Sequence, residues 1–403
     1  MLYGAPIWTP SCAINKTIIN LLKSKLENVN NFISKINRTE SEKIHLSFLK
    51  WALGVHRKAS NIGVWGESGR YPLIYQSIRL TLNYYNRLSK ASHNTFVYAA
   101  LKEQKLLKLP WYKNVEPLLK LDEMYHLDHV TAFRMTNAST SQKTHTNDID
   151  KKPLSNILSL TAAKPLPCKK FRTQKIIDNL RNHFRKCWEH EKCNSSKLSF
   201  YHEHKSKFAR EVYLDETKGF SRRYSTTKLR ISAHDLEIER GRYSKIPRET
   251  RICKWCNTSM GVKVIESENH VLFECDLYAD LRAKLISKLN KSPPYSSPDT
   301  NEPQQNLVVN NKNIQIHLMQ LLSPYTTSNF NEILVNSYNA HHKLLLNKNI
   351  KLITKEIESL LYRRSYIVNC VCTFICHTLE KRQKYLKNTQ ENSLPNTIII
   401  NFN

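Results

Sequence analysis

Four residues in the middle of the chain have the types and spacing for metal chemistry. Cys253, Cys256, His270 and Cys275 follow a C-x2-C-x13-H-x4-C pattern. A C-x2-C pair sets two thiolates on one tight turn. An H-x4-C pair can set an imidazole and a thiolate on one side of a short turn or helix. Together they offer four soft donors at tetrahedral angles, which is what a closed structural Zn²⁺ site requires. Such a site keeps no position for a catalytic water, so the expected role is structural rather than hydrolytic. The competing reading is a group of reduced residues that share one stretch by chance.

A basic run leads into the first cysteine. Between Phe220 and Thr250 the chain reads FSRRYSTTKLRISAHDLEIERGRYSKIPRET, and from Arg222 to Lys254 it carries ten Lys or Arg against four Asp or Glu, a local +6. Arg222, Arg223, Lys228, Arg230, Arg240, Arg242, Arg248, Arg251 and Lys254, with Tyr243 among them, suit phosphate contacts and base stacking. An ordinary basic helix and loop is the alternative. Two other groups are weaker. Cys187, His190, Cys193, His202 and His204 lack paired turn spacing and read as part of a solvated basic face. Cys372 and Cys376 lie one turn apart among apolar neighbours and read as a buried helix face.

The elements that must carry these residues are helical by period. Leu22, Leu26, Val29, Ile33 and Ile36 make one apolar stripe, and Ile44, Phe48, Trp51 and Ala52 mark a second helix that Gly54 ends. Pro72 opens a third, with Ile74, Ile78, Leu82, Tyr85 and Leu88 on its inner side. The aromatics Trp51, Trp65, Tyr71, Tyr84 and Tyr85 can stack on bases, but at helical spacing they read as core. A basic amphipathic helix is expected from Cys168 to Cys193, and Leu281, Leu285 and Leu289 continue a short one after the cysteines. The polar stretches around Thr136–Lys164 and Ser292–Asn313 read as linkers. The fold class expected is mainly α.

Charge narrows the partners. The 403 residues hold 62 Lys or Arg against 34 Asp or Glu, a net +28, with a mean hydropathy of −0.52. That excess points to a polyanion, nucleic acid first and an anionic membrane second. No run approaches the roughly 20 apolar residues of a bilayer span, and LYGAPIW after Met1 lacks a basic n-region and a cleavage site. Ten cysteines without regular pairing fit a reducing compartment.

At this point the blocks TTKLRISAHDLEIERGRY, RICKWC and ENHVLFECDLYADLR together resemble the zinc-binding module that follows the polymerase in non-LTR retrotransposon reverse transcriptases. LYGAPIW, FLKWALGVHRKASNIGVWGESGRYPL and YYNRL are similar to the region after the palm of those enzymes, and CTFICHTLEKR to their last helix. The resemblance implies zinc on Cys253, Cys256, His270 and Cys275, and places Lys228, Arg230, His234, Gly241, Arg242 and Tyr243 in the basic run before them. It implies a helical thumb-like or connection-like region over 1–134 and the zinc-binding module over 226–290. Composition and charge add a polar linker over 135–166, a basic helical region over 167–225, a linker over 291–316 and a C-terminal helical region over 317–390. RNA or DNA, such as element RNA or an RNA–DNA hybrid, is the implied partner, in the nucleus or a cytoplasmic ribonucleoprotein.

The departures from that family bear on activity. Its Tyr-Ala-Asp-Asp strand, which holds Mg²⁺ for nucleotide transfer, lies before the LYGAPIW-like block, where this sequence has only Met1. Tyr278-Ala279-Asp280-Leu281 lacks the second aspartate and sits among the zinc residues. Pro298-Asp299 has no later aspartate with which to build a downstream nuclease. The expectation is therefore a binding portion with no catalytic residues of its own. The alternative is a stand-alone zinc-knuckle interaction protein derived from a retroelement.

Overall fold

A computed structural model describes residues 29–92, 94–120, 169–291 and 350–391. Among these the chain is predominantly helical, with no strand and one isolated antiparallel bridge, Ile252 with Ile265. The mainly α expectation holds. The polar stretches at 135–166 and 292–316, and Leu22 and Leu26 of the first stripe, lie outside the described residues.

The chain divides into two units, one from Met1–His45 and Tyr71–His190, the other from Leu46–Arg70 and Glu191–Asn403. This differs from the sequence division, which kept 1–134 together and set the C-terminal helix apart. Contacts between residues far apart in the chain decide the grouping, and spacing within one segment does not report them.

The first unit holds α1 (Val29–Asn37), the start of α2 (Glu40–Ala52), α4 (Leu73–Leu88), α5 (Phe96–Leu106), a helical run over 110–120 and most of α6 (Lys169–Asn194). Phe32, Ile33 and Ile36 are buried on α1, as their spacing predicts, and Ile74, Ile78 and Leu82 on α4. Ile176, Ile177, Leu180, Phe184 and Cys187 form the apolar side of α6. Phe32 meets His183 edge-on at 4.4 Å, and Tyr75 meets Phe184 at 6.1 Å. Pro72 brings no side-chain cap to α4, and the buried Glu42 carboxylate takes that place by accepting the Leu73 N–H at 2.8 Å.

The α2 stripe is a correction. Ile44, Phe48 and Trp51 are exposed, Trp51 by 73%, while Glu42, Leu46, Leu49 and Leu53 face inward. Two apolar faces are available on this helix, and the leucine face is the one that packs. Trp65 is fully buried, as expected.

The second unit carries the candidate site. Its helices are α3 (Asn61–Ser68), α7 (Ser199–His204), α8 (Tyr213–Glu216), α9 (Phe220–Arg230), α10 (Glu237–Tyr243), α11 (Lys254–Ser259), α12 (Ala279–Asn290) and the long α13 (Ile350–Glu391). α13 packs along α9, α12 and α8. Ile367, Val368, Val371, Cys372, Ile375 and Cys376 supply its inner stripe, so the paired cysteines are a buried face, as their neighbours predict. Thr217 donates to the Cys372 sulfur at 3.3 Å.

A buried ionic network fastens α3 to α8 and α9. Arg230 Nε and one terminal nitrogen each lie 3.0 Å from the two oxygens of Glu67, and the guanidinium also reaches Glu211 at 3.1 Å. Lys205 pairs with Glu211, and Tyr213 donates to Glu67 at 2.5 Å. Burial by itself would raise Glu67, but Arg230 and Lys205 hold it below its ordinary value. Burial also opposes the charge on Arg230, and Glu211 and Glu67 keep it protonated regardless. Gly69 ends α3 at φ +61, and a Cβ there would stand 2.2 Å from the Arg210 nitrogen. Only glycine lets the segment carrying Glu211 run this close, where the Glu211 N–H donates to the Glu67 carbonyl at 3.0 Å.

Candidate metal centre

Two short structures bring the four donors together. The Cys253 N–H donates to Val264 at 2.7 Å and the Glu266 N–H to Arg251 at 2.9 Å, closing a small antiparallel loop around the Ile252–Ile265 bridge. Cys253 caps α11, so Cys256 follows it one turn into that helix. The second structure is a single π-turn, His270–Glu274. Its wide turn lets the Cys275 N–H reach the His270 carbonyl at 2.8 Å, so imidazole and thiol emerge on the same side.

All four residues are buried, and their donor atoms lie within 4.8 Å of one another. The Cys256 and Cys275 sulfurs are 3.7 Å apart, Cys253 and Cys275 4.0 Å, and Cys256 and His270 Nε2 3.4 Å. A tetrahedron with metal–sulfur bonds of ~2.3 Å has edges of ~3.8 Å, so the spacing suits four ligands around one ion. It does not suit a disulfide, at ~2.0 Å, and the three cysteines are free thiols. The other ring nitrogen of His270, Nδ1, lies 3.3 Å from Glu274, the carboxylate partner that fixes a ligating imidazole in many metal sites.

Among themselves the thiols favour one thiolate. The hydrogen bond with Cys275, aided by His270, holds Cys253 at about 4 against its burial. Burial and the charge on Cys253 push Cys256 up to about 11. The hydrogen bond with Cys253, then burial, pushes Cys275 far up. A dication held by Cys253, Cys256, His270 and Cys275 would supply the field that favours the fully deprotonated thiols. The cluster can hold a metal ion.

Its surroundings are rigidly tied. Glu266, at the end of the loop, takes both Arg382 nitrogens of α13 at 2.8 and 2.7 Å, and accepts the Glu237 N–H at the start of α10 at 2.7 Å. Glu268 accepts from Ser232 at 3.0 Å and lies 2.9 Å from His234 Nε2. The Leu236 N–H donates to Nδ1 of His234, so the ring proton sits on Nε2 and points at Glu268. His234, assigned to the basic run by sequence, is therefore part of this buried support.

The ten nucleic-acid candidates separate by environment. Arg230 is a correction, because it is 1% exposed and its donors are spent on Glu67 and Glu211. Arg251 is also committed internally, bonding the Ile246 carbonyl at 2.9 and 2.7 Å and Ile238 at 2.8 Å. Gly241 makes room for it, since a Cβ there would sit 2.6 Å from Arg251 Cγ. Arg242 pairs with Glu239 at 3.0 Å and bonds Ser196 at 3.1 Å, and Arg223 lies over Phe220 at 4.6 Å while donating to Leu214. Arg222 and Lys228 are half-buried, and Arg240, Tyr243, Arg248 and Lys254 are exposed.

Elsewhere, Cys193 lies 3.5 Å from His202 at the surface, and Cys187 is buried against His183. Asp280, of the Tyr-Ala-Asp-Leu string, is exposed and paired with Lys381 at 2.6 Å. Sequence spacing did not find Lys50, His56, Lys58 and Lys197. Lys197 donates to the Tyr243 hydroxyl at 2.9 Å, Lys58 lies 6.0 Å from that ring, and His56 meets it edge-on at 6.5 Å. No signal within any one segment announces this convergence.

No helix among the described residues is long and apolar enough to cross a membrane. No protein-family model, no curated protein and no solved structure matches the chain.

Proposed function

We propose that this chain is a nucleic-acid-binding portion of a retrotransposon-type reverse transcriptase, in which one structural Zn²⁺ on Cys253, Cys256, His270 and Cys275 holds a basic surface in shape. The observation that carries the reading is the buried four-donor cluster, fused through Glu266 and Glu268 to the run that holds the basic residues. Three thiols and one imidazole at tetrahedral spacing favour zinc over harder cations. With every donor position filled, the ion would act by folding energy rather than by Lewis-acid chemistry. The binding partner would be RNA, or an RNA–DNA hybrid, held chiefly through its phosphates, and the net +28 supports that. The chain's part in copying would be to grip template and primer.

Two measurements on the full chain test this. Metal analysis should find about one zinc per chain, and a chain purified without zinc would refute the ligand set. Binding to a fluorescent RNA–DNA hybrid should weaken steeply between about 50 and 200 mM salt, and a flat response would refute the phosphate grip.

A further inference from the structure

Two separate parts of the chain bring cations to Tyr243 with little countercharge: Lys58, in the loop after α2, lies 6.0 Å from the ring centroid, and Lys197, between α6 and α7, lies 5.3 Å from it. Lys50, near the end of α2, donates to the Arg57 carbonyl at 2.7 Å, and Lys228 is on α9. Tyr243 itself is half exposed, with its ring beside the Lys58 and Lys197 ammonium groups. Two carboxylates are near. Glu239 is buried and engaged by Arg242 at 3.0 Å, with Lys197 only at 4.0 Å. Asp235 is the other, and it is exposed. The effect of the crowding is visible on His56, which burial first and then Lys197, Lys50 and Lys228 push below its ordinary value, with Asp235 opposing. Lys50 is lowered likewise, by burial and then by Lys197. Like charges held together at a surface cost energy that a bound anion returns.

We propose that Tyr243 with His56, Lys58 and Lys197 forms a subsite where a nucleic-acid strand seats one phosphodiester beside the two ammonium groups and stacks the adjoining base on the tyrosine ring. The aromatic ring distinguishes it from a bare anion site, since a base has a π-face that a free phosphate lacks. The subsite rests on the nucleic-acid reading above and adds to it a place and a geometry. It also assigns a role to the loop after α2, which lies about 160 residues before the basic run that spacing selects.

The test uses the full zinc-loaded chain and a fluorescein-labelled 15-nucleotide oligouridylate. A copy of the same oligonucleotide carrying 5-iodouridine serves for photocrosslinking. Lys58→Glu should weaken binding about tenfold and lower the salt slope, while Lys384→Glu, the same charge change on exposed α13 surface, should stay within about twofold. Crosslinking should map to Tyr243, survive in Tyr243→Phe and vanish in Tyr243→Ala. Equal weakening by Lys58→Glu and Lys384→Glu would overturn the subsite and leave the broader reading standing, because affinity would then follow net charge alone. Undiminished crosslinking in Tyr243→Ala would overturn the stacking, and no binding by the unaltered chain would overturn both proposals. Coincident thermal melts of all variants establish that each is folded; both altered side chains of the subsite are exposed.

Discussion

The metal cluster and the Glu67–Arg230 network solve the same problem in opposite ways. Each ties separate segments together, and each is buried inside the second unit. The cluster draws all its donors from residues 253–275 and can take an ion from outside. The network joins side chains 163 residues apart and carries its own countercharges. A site built from neighbours can leave its charge balance to a metal. One built across the chain must bring both signs with it, because an unpaired buried charge is far costlier than an unfilled thiol cluster.

Removing one donor of the cluster should separate the two most strongly. Cys275→Ser should lose the proposed zinc and the amide-exchange protection of residues 251–275, while protection in α3 and α9 persists. Loss of protection throughout the unit would show that the network cannot stand without the metal. Arg230→Met should cost about 3–5 kcal/mol in denaturant unfolding, because Glu67 and Glu211 would be left buried with too little positive charge. Zinc content should be unchanged. Adding Glu67→Gln to that variant should recover part of the loss, and no recovery would count against the pairing as the cause.

Acid gives the smallest effect, and its sign is fixed. Burial, with Arg230 nearby, lowers His204 from the ordinary 6.5 to about 3. The unfolded chain therefore takes up a proton below about 6.5 that the folded chain refuses until about 3. This contribution is complete above 6.5 and is lost as the pH falls through that window. At saturating zinc, His204→Gln should flatten the decline relative to the unaltered chain. Parallel declines would show that His204 is solvated.

What the sequence disclosed follows the same division. The four donors were legible because C-x2-C and H-x4-C are local patterns, and α13 because its apolar period is sustained. Arg230 looked like a surface cation because its partners, Glu67 and Glu211, belong to other segments. On α2, two stripes compete and the aromatic one is the more conspicuous, yet the leucines are buried. Lys58 and Lys197 carried no signal, since neither has a spacing that refers to Tyr243. Local geometry can be read along the chain, whereas charge compensation across it cannot.

The discontinuity of the second unit has a consequence during synthesis. At roughly 5–20 residues per second, Glu67 emerges about 8–30 s before its partner Arg230, and Glu266 waits again, for Arg382. Through that interval the nascent chain carries carboxylates destined for a dry interior, beside apolar helix faces not yet covered by α13. Completion of this unit is therefore a late event, and ribosome speed and chaperone occupancy become part of what decides its yield.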